Sequence, residues 1–153
     1  MAENQVKDFT LMSKRIIALA ATLVFLAGCT TETQIANIPD VLVNIDLNLN
    51  NIEAQPLQLD GGFVLLEGGV RGIIVYRVAE GQYVAFERNC TYEPTRACAT
   101  VEVDDSGFFM VCPCNGSTYS FPDGLPTGGP ATIRLKQYQT FIDGNFLLIR
   151  NNF

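Results

Sequence analysis

Four of the five cysteines lie in two short clusters, and they are the side chains of this chain best suited to chemistry. The first cluster runs from Cys90 to Cys98, and the second holds Cys112 and Cys114 on either side of a proline. Four cysteines grouped in this way form either a metal site or two disulfides. The two clusters therefore define the candidate functional site.

The sequence contains no histidine. This absence excludes every Ser–His or Cys–His catalytic pair, every histidine-ligated zinc or haem site, and any histidine pH switch. Without a nucleophile–base pair, hydrolase chemistry is excluded as well. We therefore expect no enzyme, or, if the protein is redox-active, an electron-transfer component.

The composition is that of one folded, acidic domain. The chain has 153 residues, a formal net charge of −6 and a pI near 4.5. Nucleic acid is not expected as a partner, because affinity for phosphates requires a basic face. A hydrophobic fraction of 48% with only 17% charged residues is not typical of a disordered chain.

Period-two patterns and regularly spaced turn signals place the cysteine clusters on an all-β scaffold. In residues 41–50 every second side chain is apolar, and asparagines fill most of the alternate positions, which predicts a half-buried strand. Each cluster follows a predicted strand, and a hairpin turn at residues 104–107 lies between them, so both loops should lie at one end of the sheet. The predicted strands span residues 41–50, 63–67, 72–78, 83–88, 99–103, 108–111, 131–138, 140–142 and 146–150.

The N-terminus has the pattern of an export signal. Lys14 and Arg15 precede an apolar run of twelve residues, which is too short for a membrane span and typical of a signal peptide. Residues 26–29, Leu-Ala-Gly-Cys, then resemble the lipobox of bacterial lipoproteins, which implies a lipid anchor on Cys29. The alternative is an ordinary secretory signal in which this cysteine is incidental. We expect a signal peptide at 1–28, a tether at 29–38 and one domain at 39–153, with residues 1–11 an over-extended gene start before Met12.

A lipid anchor implies a location in the bacterial cell envelope, on the exported side of a membrane. That space is oxidising, so paired thiols become disulfides there. Thr30 follows the anchor cysteine, and by the sorting rule of enteric bacteria this favours the outer membrane over the inner one. The expected partners are the membrane itself and an envelope protein.

The two cysteine clusters resemble the boxes of the Rieske iron–sulfur domain, C-x-H-x-x-C and C-P-C-H-G-S-x-Y. The second box here departs from that pattern only at Asn115, whereas the first has Tyr92 at the histidine position and three extra residues before its second cysteine. Pro130 resembles the centre of the family's proline loop. The resemblance covers residues 39–153 and implies an antiparallel β-sandwich of short strands with two cysteine loops at one end.

The resemblance also implies a role for each residue of the site. Cys90 and Cys112 fall where the family ligates one iron, and Tyr92 and Asn115 fall where its two histidines ligate the other. Because a Rieske centre needs two imidazoles on one iron, we expect no standard cluster. Cys98 and Cys114 match the family's loop-joining disulfide. Ser117 and Tyr119 match the residues that hydrogen-bond cluster sulfur and cysteine sulfur, and Pro130 matches the proline loop.

Four interpretations of the cysteines remain open: two disulfides without a cofactor, a four-thiolate [2Fe–2S] cluster, a structural zinc, or a redox dithiol at Cys112 and Cys114. We favour two disulfides, since the exported space oxidises thiols. A bond between Cys112 and Cys114 would close a strained ring across one residue. The resemblance pairs Cys98 with Cys114, which leaves Cys90 for Cys112.

The sequence thus predicts a membrane-anchored envelope lipoprotein with a Rieske-like domain, stabilised by disulfides, that binds or supports a partner. The alternative is an iron–sulfur [2Fe–2S] electron-transfer protein with non-standard ligands.

Overall fold

The computed structural model describes residues 37–151. The expected signal peptide, the anchor Cys29 and all but the end of the tether lie outside the described residues. Within residues 37–151 the chain forms ten strands and one short 3-10 helix, which confirms the all-β prediction. In this range no helix is long and apolar enough to cross a bilayer.

The elements follow one another in two groups along the chain. The 3-10 helix lies between the first two strands and spans Ile52–Gln58. The strands are β1 Asn44–Asn48, β2 Phe63–Leu66, β3 Ile73–Ala79, β4 Gln82–Glu87, β5 Glu102–Val103, β6 Phe109–Val111, β7 Thr118–Ser120, β8 Pro126–Gly128, β9 Gln137–Asp143 and β10 Phe146–Arg150.

Two antiparallel sheets result from this order. The larger has six strands in the order β1-β10-β9-β4-β3-β2, and the smaller has four in the order β5-β6-β7-β8. The cysteine loops leave the ends of β4 and β6, so the first follows a strand of the large sheet and the second lies within the small one. The chain must therefore join the two sheets at the site.

The first strand is buried on one face and solvated on the other, as its alternating pattern predicts. Val43 and Leu47 are buried and Ile45 packs beside them, whereas Asn44 and Asp46 face solvent. Alternation places one set of side chains in the core and leaves the other in water.

The central strands of the large sheet are buried on both faces. Ile73 and Val75 face one hydrophobic cluster inside the curl of the large sheet, while Ile74 and Phe86 face a second cluster shared with the small sheet. Cys90, Cys112, Tyr119 and Leu135 belong to this second cluster. The inner part of the candidate site is thus continuous with the core.

Four segments differ from the prediction. The 3-10 helix at residues 52–58 was not predicted, because a helix this short does not display a 3.6-residue period. Strands β7 and β8 were missed because three-residue strands carry too little alternation. Residues 131–136 were predicted as strand, but regular pairing begins only at Gln137. There the chain instead crosses between the sheets, and the backbone N–H of Leu135 donates to Gly124.

Candidate functional site

The first cysteine loop spans residues 90–98 and begins where β4 ends. The backbone N–H of Cys90 donates to the carbonyl oxygen of Ala99 at 3.0 Å, and Asn89 pairs with Thr100 in an isolated bridge. These contacts close the loop at its base. Cys90 is therefore held at the core end of the loop, whereas Cys98 lies on its exposed side.

The second cysteine loop is a tight turn between β6 and β7. Cys112 donates its N–H to the carbonyl of Ser117 at 2.8 Å, and Gly116 donates back to the carbonyl of Cys112 at 2.9 Å. The Asn115 side-chain oxygen accepts the N–H of Ser117 at 2.9 Å. These local hydrogen bonds stabilise the turn, which places Cys112 inward and Cys114 nearer the surface.

Two disulfides join these loops. Cys90 is bonded to Cys112 with 5.9 Å between their Cα atoms, and Cys98 is bonded to Cys114 with 5.2 Å between theirs. Both distances lie within the range usual for disulfides. Within residues 37–151 no three His, Cys, Asp or Glu side chains are grouped as a metal site.

A hydrogen bond joins Tyr92 and Asn115, the residues at the positions that the resemblance assigns to histidines. The Asn115 amide nitrogen donates to the Sγ of Cys112 and to the backbone carbonyl of Tyr92, both at 3.3 Å. Tyr92 is half-buried and packs against the second core cluster. The carboxamide of Asn115 therefore connects the two loops through hydrogen bonds.

Ser117 and Tyr119 hold neighbouring segments in place. The Ser117 hydroxyl accepts the N–H of Ala131 at 3.0 Å, which fixes the segment that carries Pro130. The Tyr119 hydroxyl lies 3.0 Å from the hydroxyl of Thr91, and Thr91 in turn donates to the carbonyl of Ile133. Pro130 itself is exposed.

A buried carboxylate supports the first loop, and the sequence reading missed it. Glu87 is fully buried, and its oxygens accept four hydrogen bonds. The backbone N–H groups of Val70, Arg71 and Asn89 donate at 2.7, 2.9 and 3.2 Å, and the Tyr138 hydroxyl donates at 2.8 Å. A buried carboxylate is tolerated when donors surround it in this way.

Arg71 extends this support to the cysteine loop. Its guanidinium donates to the backbone carbonyls of Arg96, Ala97 and Pro94 at 2.7, 3.0 and 3.5 Å. Three successive contacts of one planar group fix the backbone just before Cys98. The loop is therefore held by an arginine as well as by its disulfides.

The electrostatic consequence of this cluster appears at Tyr138. Burial raises the pKa of its hydroxyl far above the usual value of 10.0, and the neighbouring Glu87 carboxylate raises it further. Tyr138 therefore remains a neutral donor to Glu87. A signal for this cluster existed in the sequence: alternation places Glu87 on the same face as Ala85, which is in the core.

The fold and the site together define a small, mostly β domain with two covalently joined cysteine loops at one end. The family model of the Rieske [2Fe-2S] domain matches residues 52–139, more than half of the chain. The chain belongs to the Rieske [2Fe-2S] domain family.

Two solved structures are similar to the chain. The plasma membrane Rieske protein PetC3 of Synechocystis PCC 6803 has a TM-score of 0.52 and 24% identity, over 70% of this chain and 97% of that one. The ferredoxin of carbazole 1,9a-dioxygenase from Nocardioides aromaticivorans IC177 has a TM-score of 0.47 and 17% identity, over 74% of this chain and 100% of that one. At 24% identity, the likeness to the Synechocystis protein shows the fold alone. No curated protein matches the chain.

Proposed function

We propose that the protein is a lipid-anchored envelope protein whose Rieske-fold domain holds two disulfides in place of the [2Fe–2S] cluster, and that it binds or supports an envelope partner. The observation that carries this proposal is the buried bond between Cys90 and Cys112. Those are the cysteines at the positions where the family ligates iron, and a disulfide sulfur has no thiolate charge to offer a metal.

The chemistry of the other two positions supports the same conclusion. A neutral carboxamide is a poor iron ligand beside thiolate, and a Rieske iron requires two imidazoles. The Asn115 amide is already committed: its nitrogen donates to Cys112 and Tyr92, and its oxygen accepts from Ser117. The residues present therefore do not fit a Rieske centre.

Covalent bonds and hydrogen bonds hold the loops of this site together in place of a cluster. Both disulfides and the Asn115 amide connect the first loop to the second, and Ser117 ties in the segment at Ala131. Three segments that a cluster would otherwise organise are thus held by the chain's own groups. Such a rigid loop end is suited to presenting a fixed surface to a partner.

The anchor is proposed from the sequence alone. Residues 13–29 combine two cations with an apolar run of twelve residues that ends in a lipobox-like Leu-Ala-Gly-Cys, a pattern typical of exported lipoproteins. A lipidated Cys29 would place the domain on the exported side of a membrane, where its four remaining cysteines would be oxidised.

Iron content tests the proposal. The protein is produced in cells with active iron–sulfur assembly, purified without oxygen, and examined for iron, visible absorption and an EPR signal after reduction. We expect a colourless protein with substoichiometric iron. A matched control is a histidine-containing Rieske ferredoxin prepared in parallel, which must be brown.

Stoichiometric iron with an EPR signal would contradict the proposal. It would favour an electron-transfer protein with an all-thiolate or mixed ligand set, drawn from Cys90, Cys98, Cys112 and Cys114. Mössbauer spectra of the iron would then identify whether sulfur alone ligates both sites.

A further inference from the structure

The two disulfides differ sharply in their access to solvent. Cys90 and Cys112 are both 0% exposed and belong to the hydrophobic core. Cys98 is exposed, and Cys114 is only partly buried. Thiol–disulfide exchange requires a thiolate to reach a sulfur atom, so access decides which bond reacts.

We propose that the Cys98–Cys114 bond is a thiol–disulfide exchange site, opened and closed by a dithiol protein of the envelope, while the Cys90–Cys112 bond remains closed. This inference rests on the proposed function in two respects: the four cysteines form disulfides and hold no cluster, and the domain lies in the envelope. It adds a reactive site and a class of partner to what was proposed as a stable module.

The reaction consumes one dithiol for each bond that opens. A thiolate of the dithiol attacks the Sγ of Cys98, the more exposed residue of the pair, which forms a mixed disulfide and releases Cys114 as a thiolate. The second thiol of the partner, deprotonated, then attacks the mixed disulfide. The partner leaves as a disulfide, and Cys98 and Cys114 both become thiols after gaining two electrons and two protons in total.

The loops remain in place when this bond is open, which makes the reaction reversible. The Arg71 guanidinium holds the backbone carbonyls of Pro94, Arg96 and Ala97, directly before Cys98. The buried Cys90–Cys112 bond still ties the loops together at their bases. The Cys98 thiol therefore stays near Cys114 at a high effective concentration, and the reverse exchange, with the disulfide form of the partner as oxidant, closes the bond again.

Stepwise reduction of the full-length protein tests the order of opening. Peptide mapping without reductant first establishes the starting state. The protein is then incubated with dithiothreitol under native conditions, quenched by alkylation at successive times, and mapped again. We expect Cys98 and Cys114 to be alkylated about tenfold faster or more than Cys90 and Cys112, with an unchanged circular dichroism spectrum.

Two variants that each lack one cysteine test which sulfur is attacked. Cys114→Ser leaves the exposed Cys98 as a thiol, and Cys98→Ser leaves the partly buried Cys114. We expect oxidised glutathione to form a mixed disulfide with Cys98 several-fold faster than with Cys114. Equal rates would remove the assignment of Cys98 as the point of attack.

An arginine variant tests the reversibility. Arg71→Met removes the three contacts to the loop carbonyls, and we expect ring closure at Cys98 and Cys114 to slow several-fold. Arg77→Met is the matched control, since Arg77 also donates to two backbone carbonyls, those of Leu57 and Gln58, but distant in sequence from the cysteine loops. It should leave the closure rate unchanged. If Arg71→Met fails to fold, the reduction order in the natural chain still decides the proposal.

The possible results separate the two proposals. Suppose that both disulfides are present at the start. If they then open simultaneously, or if Cys90–Cys112 opens first, the result overturns this inference and leaves the proposed function intact. Iron or free thiols at Cys90 and Cys112 before any reductant is added would overturn the proposed function itself.

Discussion

The Glu87 carboxylate connects three parts of the molecule at the scale of single residues. It accepts the backbone N–H groups of Val70 and Arg71 from the β2–β3 turn, that of Asn89 before the first cysteine, and the Tyr138 hydroxyl from β9. Arg71 then carries the connection to the loop itself. We therefore expect the loss of one donor at this point to affect the position of the loop as well as local stability.

Replacing Tyr138 with phenylalanine tests the importance of one of these donors. Tyr138→Phe removes the hydroxyl and leaves a buried carboxylate oxygen with only the Val70 N–H. We expect the free energy of unfolding at neutral pH to fall by about 1–3 kcal/mol. Urea unfolding measures it. Tyr83→Phe on the neighbouring strand is a control of the same chemistry, since no hydrogen bond of its hydroxyl supports Glu87.

The stability difference between the natural chain and Tyr138→Phe should also depend on pH. Burial and Glu87 raise the pKa of Tyr138 in the folded state, so the folded chain keeps a proton that the unfolded chain loses near pH 10.0. The stabilisation by this tyrosine is therefore complete below that pH and decreases as the pH rises above it. The stability difference between the natural chain and Tyr138→Phe should narrow between neutral pH and pH values above about 10. A constant difference would contradict the raised pKa.

The residue-level site was predictable where the sequence carries a motif, and not elsewhere. The cysteines and Asn115 were found because the second box is a dense local pattern. Glu87 and Arg71 were missed because charged residues are usually assigned to the surface. Most of their partners are backbone groups distant in sequence, such as Val70 for Glu87 and Arg96 for Arg71, and no spacing rule describes such contacts.

At the scale of elements, the segment at Gly129 packs directly on the second cysteine loop. A Cβ added there would lie 2.5 Å from the Cα and 2.8 Å from the backbone nitrogen of Ser117, and Gly129 has a φ of +78°. Gly144 has a φ of +56°, but nothing lies within 4 Å of its added Cβ. Both substitutions incur backbone strain, and only one incurs a clash.

Alanine at these two positions therefore separates strain from packing. We expect Gly129→Ala to destabilise the domain by about 1–3 kcal/mol more than Gly144→Ala, because its Cβ meets rigid backbone. Thermal unfolding of both variants provides the comparison. Equal losses would indicate that the segment at Gly129 does not rest on the second loop.

The two disulfides restrict the same pair of loops, and their contributions should not add. Removing either bridge by alanine substitution leaves the other to limit the unfolded chain, so we expect each pair of substitutions to cost about 1–2 kcal/mol. Removal of both should cost about 3–5 kcal/mol. A double-mutant cycle cancels the cavity term and isolates the coupling. If the destabilisations caused by removing each bridge alone sum to the destabilisation caused by removing both, the two bridges act independently.

The strands were predictable because half-buried strands alternate, as residues 44–48 do between core and solvent. Turn residues located the hairpins at Gly81 and Gly144 in the same way. Strands β7 and β8 were missed because three residues carry too little alternation to identify a strand. The 3-10 helix at Ile52–Gln58 is likewise stabilised by burial of Ala54 and Leu57 against the core and by no periodic pattern.

At the scale of the whole molecule, the proposed anchor determines where the domain operates. Replacing Cys29 with serine removes the thiol that would carry the lipid, so we expect the protein to move from the membrane to the soluble envelope fraction. Incorporation of a labelled fatty acid and fractionation of cells measure the change. Cys98→Ser serves as a control, because it also removes one cysteine but should not alter the label. Absence of acyl groups from the natural chain would contradict the anchor.

The most direct test of the account is the mass of the intact native protein, purified without oxygen from cells with active iron–sulfur assembly. Each disulfide removes two hydrogen atoms from the chain, and a [2Fe–2S] cluster adds two irons and two sulfides. We predict a single species four hydrogens lighter than the fully reduced chain, with no added iron or sulfide. A species carrying the mass of the cluster, with Cys90 and Cys112 no longer bonded to each other, would contradict the central claim.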